Sequence, residues 1–324
     1  MVGRSPDNLG IFYFVRNQTI SVMKKMPRLA PASALGPAPS QLHPAISEDV
    51  AFGYPRDFLQ NQFVYLVISP RAKGLSIGVN LNPIVRCNFQ CLYCEVERGQ
   101  PARASLLDID RMGVELSQTL QMVEAGWLRQ MPRYANLPED MLQVRHVTLS
   151  GDGEPTLAEK FVEAVGAVAH VRAVGHFFKM VLVTNSTGLD HPRVAEGLRF
   201  FTREDEVWAK LDGGTDAYIR KLNGSSLPLE KILSNILTIA RKRPVIIQSL
   251  FPAISGEPPS ELEIEEYAHR LKELKEQGAE ITQVQIYSAT RPMATTGCSH
   301  LPLRTLSSIA QTVRKISGLR AEVF

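Results

Sequence analysis

Leu75-Ser76-Ile77-Gly78-Val79-Asn80-Leu81 leads, a few residues on, into Cys87-Asn88-Phe89-Gln90-Cys91-Leu92-Tyr93-Cys94. The first stretch alternates with period two, the signature of a β-strand. The second sets three thiols at C-x3-C-x2-C spacing. Thiolates are soft ligands suited to zinc, copper(I) or iron–sulfur clusters. A structural zinc site closes with four ligands, commonly from two C-x2-C or C/H pairs. The chain has four cysteines, and the fourth, Cys298, lies far downstream. Three local thiolates suit a four-iron, four-sulfur cluster in which one iron lacks a protein ligand. Zinc completed by Cys298 or a distant His is the alternative.

Outward from this segment the chain alternates strands and helices. Val144 to Leu149, Met180 to Thr184, Glu206 to Leu211, Val245 to Phe251 and Ile281 to Tyr287 read as further strands, several of them continuous apolar runs. Such runs suit parallel strands covered on both faces. Thr156-x-x-Glu159 and Ser260-x-x-Glu263 read as capping boxes opening helices. The second helix carries a stripe of Leu262, Ile264, Tyr267, Leu271 and Leu274 and closes at Gly278; another runs over residues 305 to 317. Six strands alternating with helices predict an α/β fold, for which a doubly wound sheet and a barrel both fit.

Composition narrows the classes of protein. With 44% hydrophobic residues among 324, 22 Gly and 21 Pro, a fibrous or wholly disordered chain is excluded. A formal charge of +3 argues against a general affinity for nucleic acid or anionic membrane, leaving only a local patch such as Arg241-Lys242-Arg243. The longest uncharged stretch, Leu29 to Ser47, contains Pro31, Pro37, Pro39 and Pro44, which would break a spanning helix. Residues 1–47, basic and then Pro/Ala-rich, predict a disordered extension, with a targeting peptide or a start at Met26 as alternatives; residues 48–324 form the predicted core domain. Clustered thiols in a chain without a secretory signal predict a cytoplasmic protein.

After the second predicted strand comes Ser150-Gly151-Asp152-Gly153-Glu154-Pro155-Thr156. Gly151 and Gly153 permit positive φ or close backbone approach, Glu154 offers a carboxylate, and Thr156 is expected to cap the next helix. Other strand ends carry polar groups: Thr184-Asn185-Ser186, Lys210-Leu211-Asp212, Gln248-Ser249, Gln283 and Gln285. Polar side chains within apolar strands suggest a polar cavity.

The cysteine spacing, with Tyr93 before the last thiol, resembles the signature of the radical S-adenosylmethionine (radical SAM) enzymes. The resemblance implies a partial (β/α)6 TIM-like barrel in which Cys87, Cys91 and Cys94 hold a [4Fe–4S] cluster whose open iron chelates SAM. Gly151, Asp152, Gly153 and Glu154 resemble the family's GGEP motif, which receives the SAM amino group; Asp152 stands where the family often has the second glycine. It further implies that Tyr93 lies near the adenine, and that Asn185 and Lys210 or Asp212 contact SAM or substrate. Lys210 would form a Schiff base only if burial lowered its pKa. An electron donor such as flavodoxin or ferredoxin is implied as a partner. Ile77-Gly78-Val79-Asn80 and Lys210-Leu211-Asp212-Gly213-Gly214 look closest to stand-alone radical SAM proteins related to wyosine-type tRNA-modifying enzymes. Those enzymes carry further cysteines for a second cluster, which this chain lacks. Near the C-terminus, Arg291 is a candidate grip for a carboxylate or phosphate, and Cys298 reads as an ordinary thiol.

Overall fold

The computed structural model describes residues 58–69, 71–96, 98, 104–289, 293 and 297–324. The predicted extension over residues 1–47 and Arg291 lie outside them. All six predicted strands form, each within about a residue of its expected bounds: β2 (Gly74–Asn80), β3 (Val144–Ser150), β4 (Lys179–Thr184), β5 (Glu206–Lys210), β6 (Val245–Leu250) and β8 (Ile281–Tyr287). Two edge strands join them, β1 (Val64–Ser69) and β10 (Ala321–Val323), and a small ribbon pairs β7 (Ala253–Ile254) with β9 (Cys298–Ser299). The main sheet runs β1-β2-β3-β4-β5-β6-β8-β10, parallel throughout except for the antiparallel β1–β2 hairpin. The C-terminal ends of β2 to β8 therefore share one edge. No helix among the described residues is long and apolar enough to cross a membrane.

Besides one-turn segments such as Pro132–Ala135, the helices are α1 (Ile109–Glu124), α2 (Phe161–Ala173), α3 (Pro192–Gly197), α4 (Asp216–Asn223), α5 (Leu229–Ala240), α6 (Glu261–Glu276) and α7 (Leu303–Ser317). Alternate strand residues such as Ile77, Leu149, Leu182, Val207, Ile247 and Ile286 pack beneath them in one continuous core. The opposite sheet face is mixed. It holds a small apolar cluster of Val181, Trp208 and Ile246, with polar groups around it.

The sheet is curled and open. Arg71, in the β1–β2 turn, lies 4.2 Å from the centroid of the Tyr287 ring in β8, although β3 to β6 separate β2 from β8. A flat sheet with strands about 4.8 Å apart would hold β2 and β8 about 24 Å apart. Among the described residues β1 and β10 do not pair, so the parallel strands form a partial barrel rather than a closed one.

Three local expectations differ from the structure. Thr156 does not cap a helix: Glu154 caps the turn Pro155–Leu157, accepting the Thr156 N–H at 3.1 Å, and α2 begins at Phe161. Pro155 favours the first position of a helical turn, so the turn starts there. Ser260 does cap α6, accepting the Glu263 N–H at 3.2 Å, but Glu263 does not close the box. Its carboxylate instead accepts from Gly214 N at 2.5 Å and from the Thr215 N–H and hydroxyl at 3.2 and 2.6 Å, because the loop after β5 needs an acceptor there. Leu262 is 67% exposed, as it projects from the side of α6 opposite Ile264.

Candidate functional site: a three-cysteine loop across the strand ends

The cysteine loop follows β2 and is tied to three other strand units. Arg86 O accepts the Glu154 N–H at 3.0 Å, which binds the loop to the segment after β3. Asn88 donates to Thr187 Oγ1 and accepts from Asn185 Nδ2, both at 2.8 Å, which binds it to the segment after β4. Gln90 N and Leu92 N donate to Asn223 O and Leu222 O at 2.7 and 2.9 Å, which binds it to the end of α4, after β5. These bonds hold the thiol-bearing backbone over the C-terminal edge of the sheet.

The segment Gly151–Glu154 is stitched equally closely. Asn80, ending β2, donates to Asp152 Oδ2 at 2.6 Å and accepts the Asp152 N–H at 3.2 Å; Asn82 donates to Glu154 O. Gly151 has φ of +140°, and a Cβ on Gly153 would collide with the Arg86 carbonyl. Both glycines are needed, as the sequence suggested, for close backbone approach. Glu154 is buried. It accepts from Thr156 N and Oγ1 at 3.1 and 2.7 Å, from Thr184 Oγ1 at 2.6 Å and from Asn185 N at 2.7 Å. Burial raises its pKa, and these donors offset only part of that rise.

A second constellation links β5 and β8 to the loop. Lys210 Nζ lies 3.3 Å from Asp212 Oδ1 and donates to Tyr287 OH at 3.0 Å; its ammonium also sits 4.9 Å from the Tyr93 ring. Tyr287 donates to Gln248 Oε1 and Gln248 to Gln285 Oε1, each at 3.3 Å. Tyr93 donates its hydroxyl to Asp212 Oδ2, and Asn223 Nδ2 donates to the same oxygen at 2.9 Å. Asn223 Nδ2 also lies 3.3 Å from Cys91 Sγ.

Residues 81–268 match the sequence profile of the Radical SAM superfamily. The chain belongs to that superfamily. A UPF0026 protein of Synechocystis sp. is 28% identical over 183 residues, covering 55% of this chain and 60% of that protein, so the chain spans under two thirds of this relative's length. A radical SAM methyltransferase from Sphaerobacter thermophilus aligns at 16% identity with a TM-score of 0.56, covering 81% of this chain and 68% of that one. SuiB from Streptococcus suis, solved bound to S-adenosylmethionine, aligns at 14% identity with a TM-score of 0.53, covering 78% and 52%. At these identities the likeness is one of fold.

The donor set fits the cluster associated with radical SAM proteins. Burial raises the Cys87 thiol and pushes Cys91 up to about 12, with the Asp212 charge adding to the rise at Cys91. Desolvated thiols ionise readily only beside cations, the role iron would fill. Among the described residues no three His, Cys, Asp or Glu side chains converge on one metal ion. Three thiols lie on the one loop, and the fourth, Cys298, is engaged with Met293, its Sγ 3.2 Å from Met293 Sδ.

The structure brings Tyr93, Asn185, Lys210 and Asp212 to this edge, with two changes to their expected chemistry. Burial alone would lower the Lys210 pKa, but Asp212 and then Tyr287 outweigh it and the net shift is upward. The pair with Asp212 thus favours the ammonium form, opposite to the lowered pKa that a Schiff base would need. Burial and the Asp212 charge raise the Tyr93 pKa well above its ordinary value and keep it a neutral phenol. Ser249, on the opposite face of β6 from Gln248, turns to Tyr267 OH at 2.5 Å, and Gln283, on the same face of β8 as Gln285, pairs with Glu322 at 2.6 Å. The Arg241–Arg243 patch is partly spent on structure, with Arg241 on Gln277 O at 2.9 Å and Arg243 on Asp205 O at 2.8 Å. Asn88, Asn223 and Tyr287 were given no role in the sequence reading, and Asn80 entered it only as part of the Ile77–Asn80 motif. Asn80, Asn223 and Tyr287 signalled themselves only as polar residues at a strand or helix end, and Asn88 only by its place between Cys87 and Cys91.

Proposed function

We propose that the chain is a radical SAM enzyme in which Cys87, Cys91 and Cys94 hold a [4Fe–4S] cluster and Gly151 to Glu154 line the SAM site. When bound, the two cofactors supply a 5′-deoxyadenosyl radical that takes a hydrogen atom from the substrate, given an electron from a flavodoxin- or ferredoxin-type donor. The observation that carries the reading is the thiol loop tied to the ends of β3 and β4 and to α4, over the edge where barrel enzymes gather their catalytic groups.

Each residue then has a part that its surroundings support. Gly151 and Gly153 let the segment lie against the thiol loop. Glu154, with its oxygens taken by four internal donors, holds the segment in place. The half-buried Asp152 carboxylate and the neighbouring main-chain carbonyls are the acceptors the segment offers to the SAM ammonium group. Asn185 fixes Asn88 in the loop, and Lys210 with Asp212 supplies a neutralised charge pair beside Tyr93 for SAM or substrate. The curled sheet shields the reaction from water.

The test is anaerobic reconstitution with iron and sulfide, followed by EPR of the reduced protein with and without SAM. A [4Fe–4S]+ signal that changes on adding SAM and is lost in Cys91→Ala is the expected result. Failure to take up a cluster, a cluster indifferent to SAM, or about one zinc without labile sulfide would overturn the reading.

A further inference from the structure

Asn223 is the last residue of α4, ahead of the left-handed Gly224 at φ of +58°. Its main chain already serves the thiol loop, since its carbonyl accepts the Gln90 N–H. Its side chain is fully buried, and one amide nitrogen stands 3.3 Å from Cys91 Sγ, 3.2 Å from Tyr93 OH and 2.9 Å from Asp212 Oδ2.

We propose that Asn223 is a positioning residue of the metal centre, whose amide donates a hydrogen bond to the Cys91 sulfur and thereby raises the reduction potential of the cluster. The inference rests on the cluster reading given above.

The direction of the bond is fixed by its neighbours. An amide has a donating and an accepting end, and reversing this one would press its carbonyl oxygen against a carboxylate and a sulfur. With the nitrogen facing them, Oδ1 is left buried and without a partner among the described residues. The fold tolerates that orphaned acceptor in order to keep the donor on Cys91 and Asp212. Asp212 is in turn held by the Leu250 N–H at 2.9 Å and by Lys210, so the amide is clamped from behind. Cys87 lacks so close an amide side chain: Asn185 Nδ2 stands 4.0 Å from its sulfur.

A hydrogen bond into a ligating sulfur draws electron density from the metal centre and stabilises its more negative, reduced form. Hydrogen bonds to the sulfurs are among the factors that set iron–sulfur potentials. Asn223 would thus ease entry of the electron that the chemistry requires.

The test is an EPR-monitored redox titration, without turnover, of reconstituted wild type, Asn223→Asp and Asn223→Leu. Both substitutions keep the side chain near its original size and leave the main-chain bond to Gln90 in place. Both variants should take up the cluster. At the wild-type midpoint their reduced-to-oxidised ratio should fall at least about tenfold, a shift of about 59 mV for one electron. Asn223→Asp should shift further, since it adds charge as well as removing the donor. Midpoints equal to wild type would overturn the inference while leaving the cluster reading intact. Loss of cluster or fold in both variants would mark Asn223 as structural and also overturn it. A wild-type protein that takes up no cluster would instead overturn the underlying reading and the inference with it.

Discussion

Glu154 Oε2, beyond the end of β3, accepts the backbone N–H of Asn185, beyond the end of β4, at 2.7 Å. With Thr184 and Thr156 on its other oxygen, this acid locks two neighbouring strand ends together. Glu154→Gln turns one charged acceptor into a donor facing donors. The expected loss in the apoprotein is about 2 kcal/mol, read by urea unfolding, with weaker SAM binding alongside it. An unchanged unfolding midpoint would refute the latch.

Lys210 and Asp212 form a buried ion pair at 3.3 Å. Removing one partner of such a pair leaves the other charge stranded, so Lys210→Met should cost about 3–5 kcal/mol. Adding Asp212→Asn to that variant should restore part of the loss. Simply additive losses in the double-mutant cycle would count against coupling between the two.

His146 is buried on the mixed face of the sheet, edge-on to Trp208 at 5.3 Å. Burial, then Lys179 and Arg71, lower its pKa from 6.5 to about 4. Between those values the unfolded chain binds more protons than the folded one, so stability rises with pH in that window. Lowering the pH from about 6.5 to about 4 should remove up to about 3 kcal/mol, with no further loss from this group below that. Urea unfolding of His146→Gln across the same range should show a shallower slope than wild type.

Cys91, pushed up to about 12 by burial and the Asp212 charge, should be an inert thiol in the metal-free protein. Since the thiolate is the nucleophile, iodoacetamide should label it at pH 8 on the order of a thousandfold more slowly than a free cysteine. The rate should climb about tenfold per pH unit above that. Peptide mass spectrometry reads the site, and rapid labelling at pH 8 would contradict the burial argument.

The strands were readable because period and apolar runs are local properties, and the thiol loop because its spacing is. What the sequence concealed was destination. Glu263 stands where a capping box predicts a bond back to Ser260, yet its carboxylate serves Gly214 and Thr215, far away along the chain. Asn223 looks like the end of a helix and gives no hint of Cys91, 132 residues earlier. The sequence left the direction of the Lys210 pKa open, and the placement of Asp212 and Tyr287 turns it upward. The edge strand β1 was missed although Phe63 to Ile68 is strongly apolar. It pairs with β2 along its whole length, and its start is also held by a distant acid, Glu115 in α1, which accepts from Phe63 N at 2.8 Å.

The unpaired seam between β1 and β10 has a mechanical consequence. A closed cylinder of strands resists a change in girth, because widening it breaks a ladder of hydrogen bonds. Among the described residues no such ladder joins β1 to β10 in this sheet. Across its bore Arg71 lies on the Tyr287 ring, a cation–π contact worth about 0.5–2 kcal/mol. The protein is thus closer to a split ring than to a hoop, with that contact reaching across it.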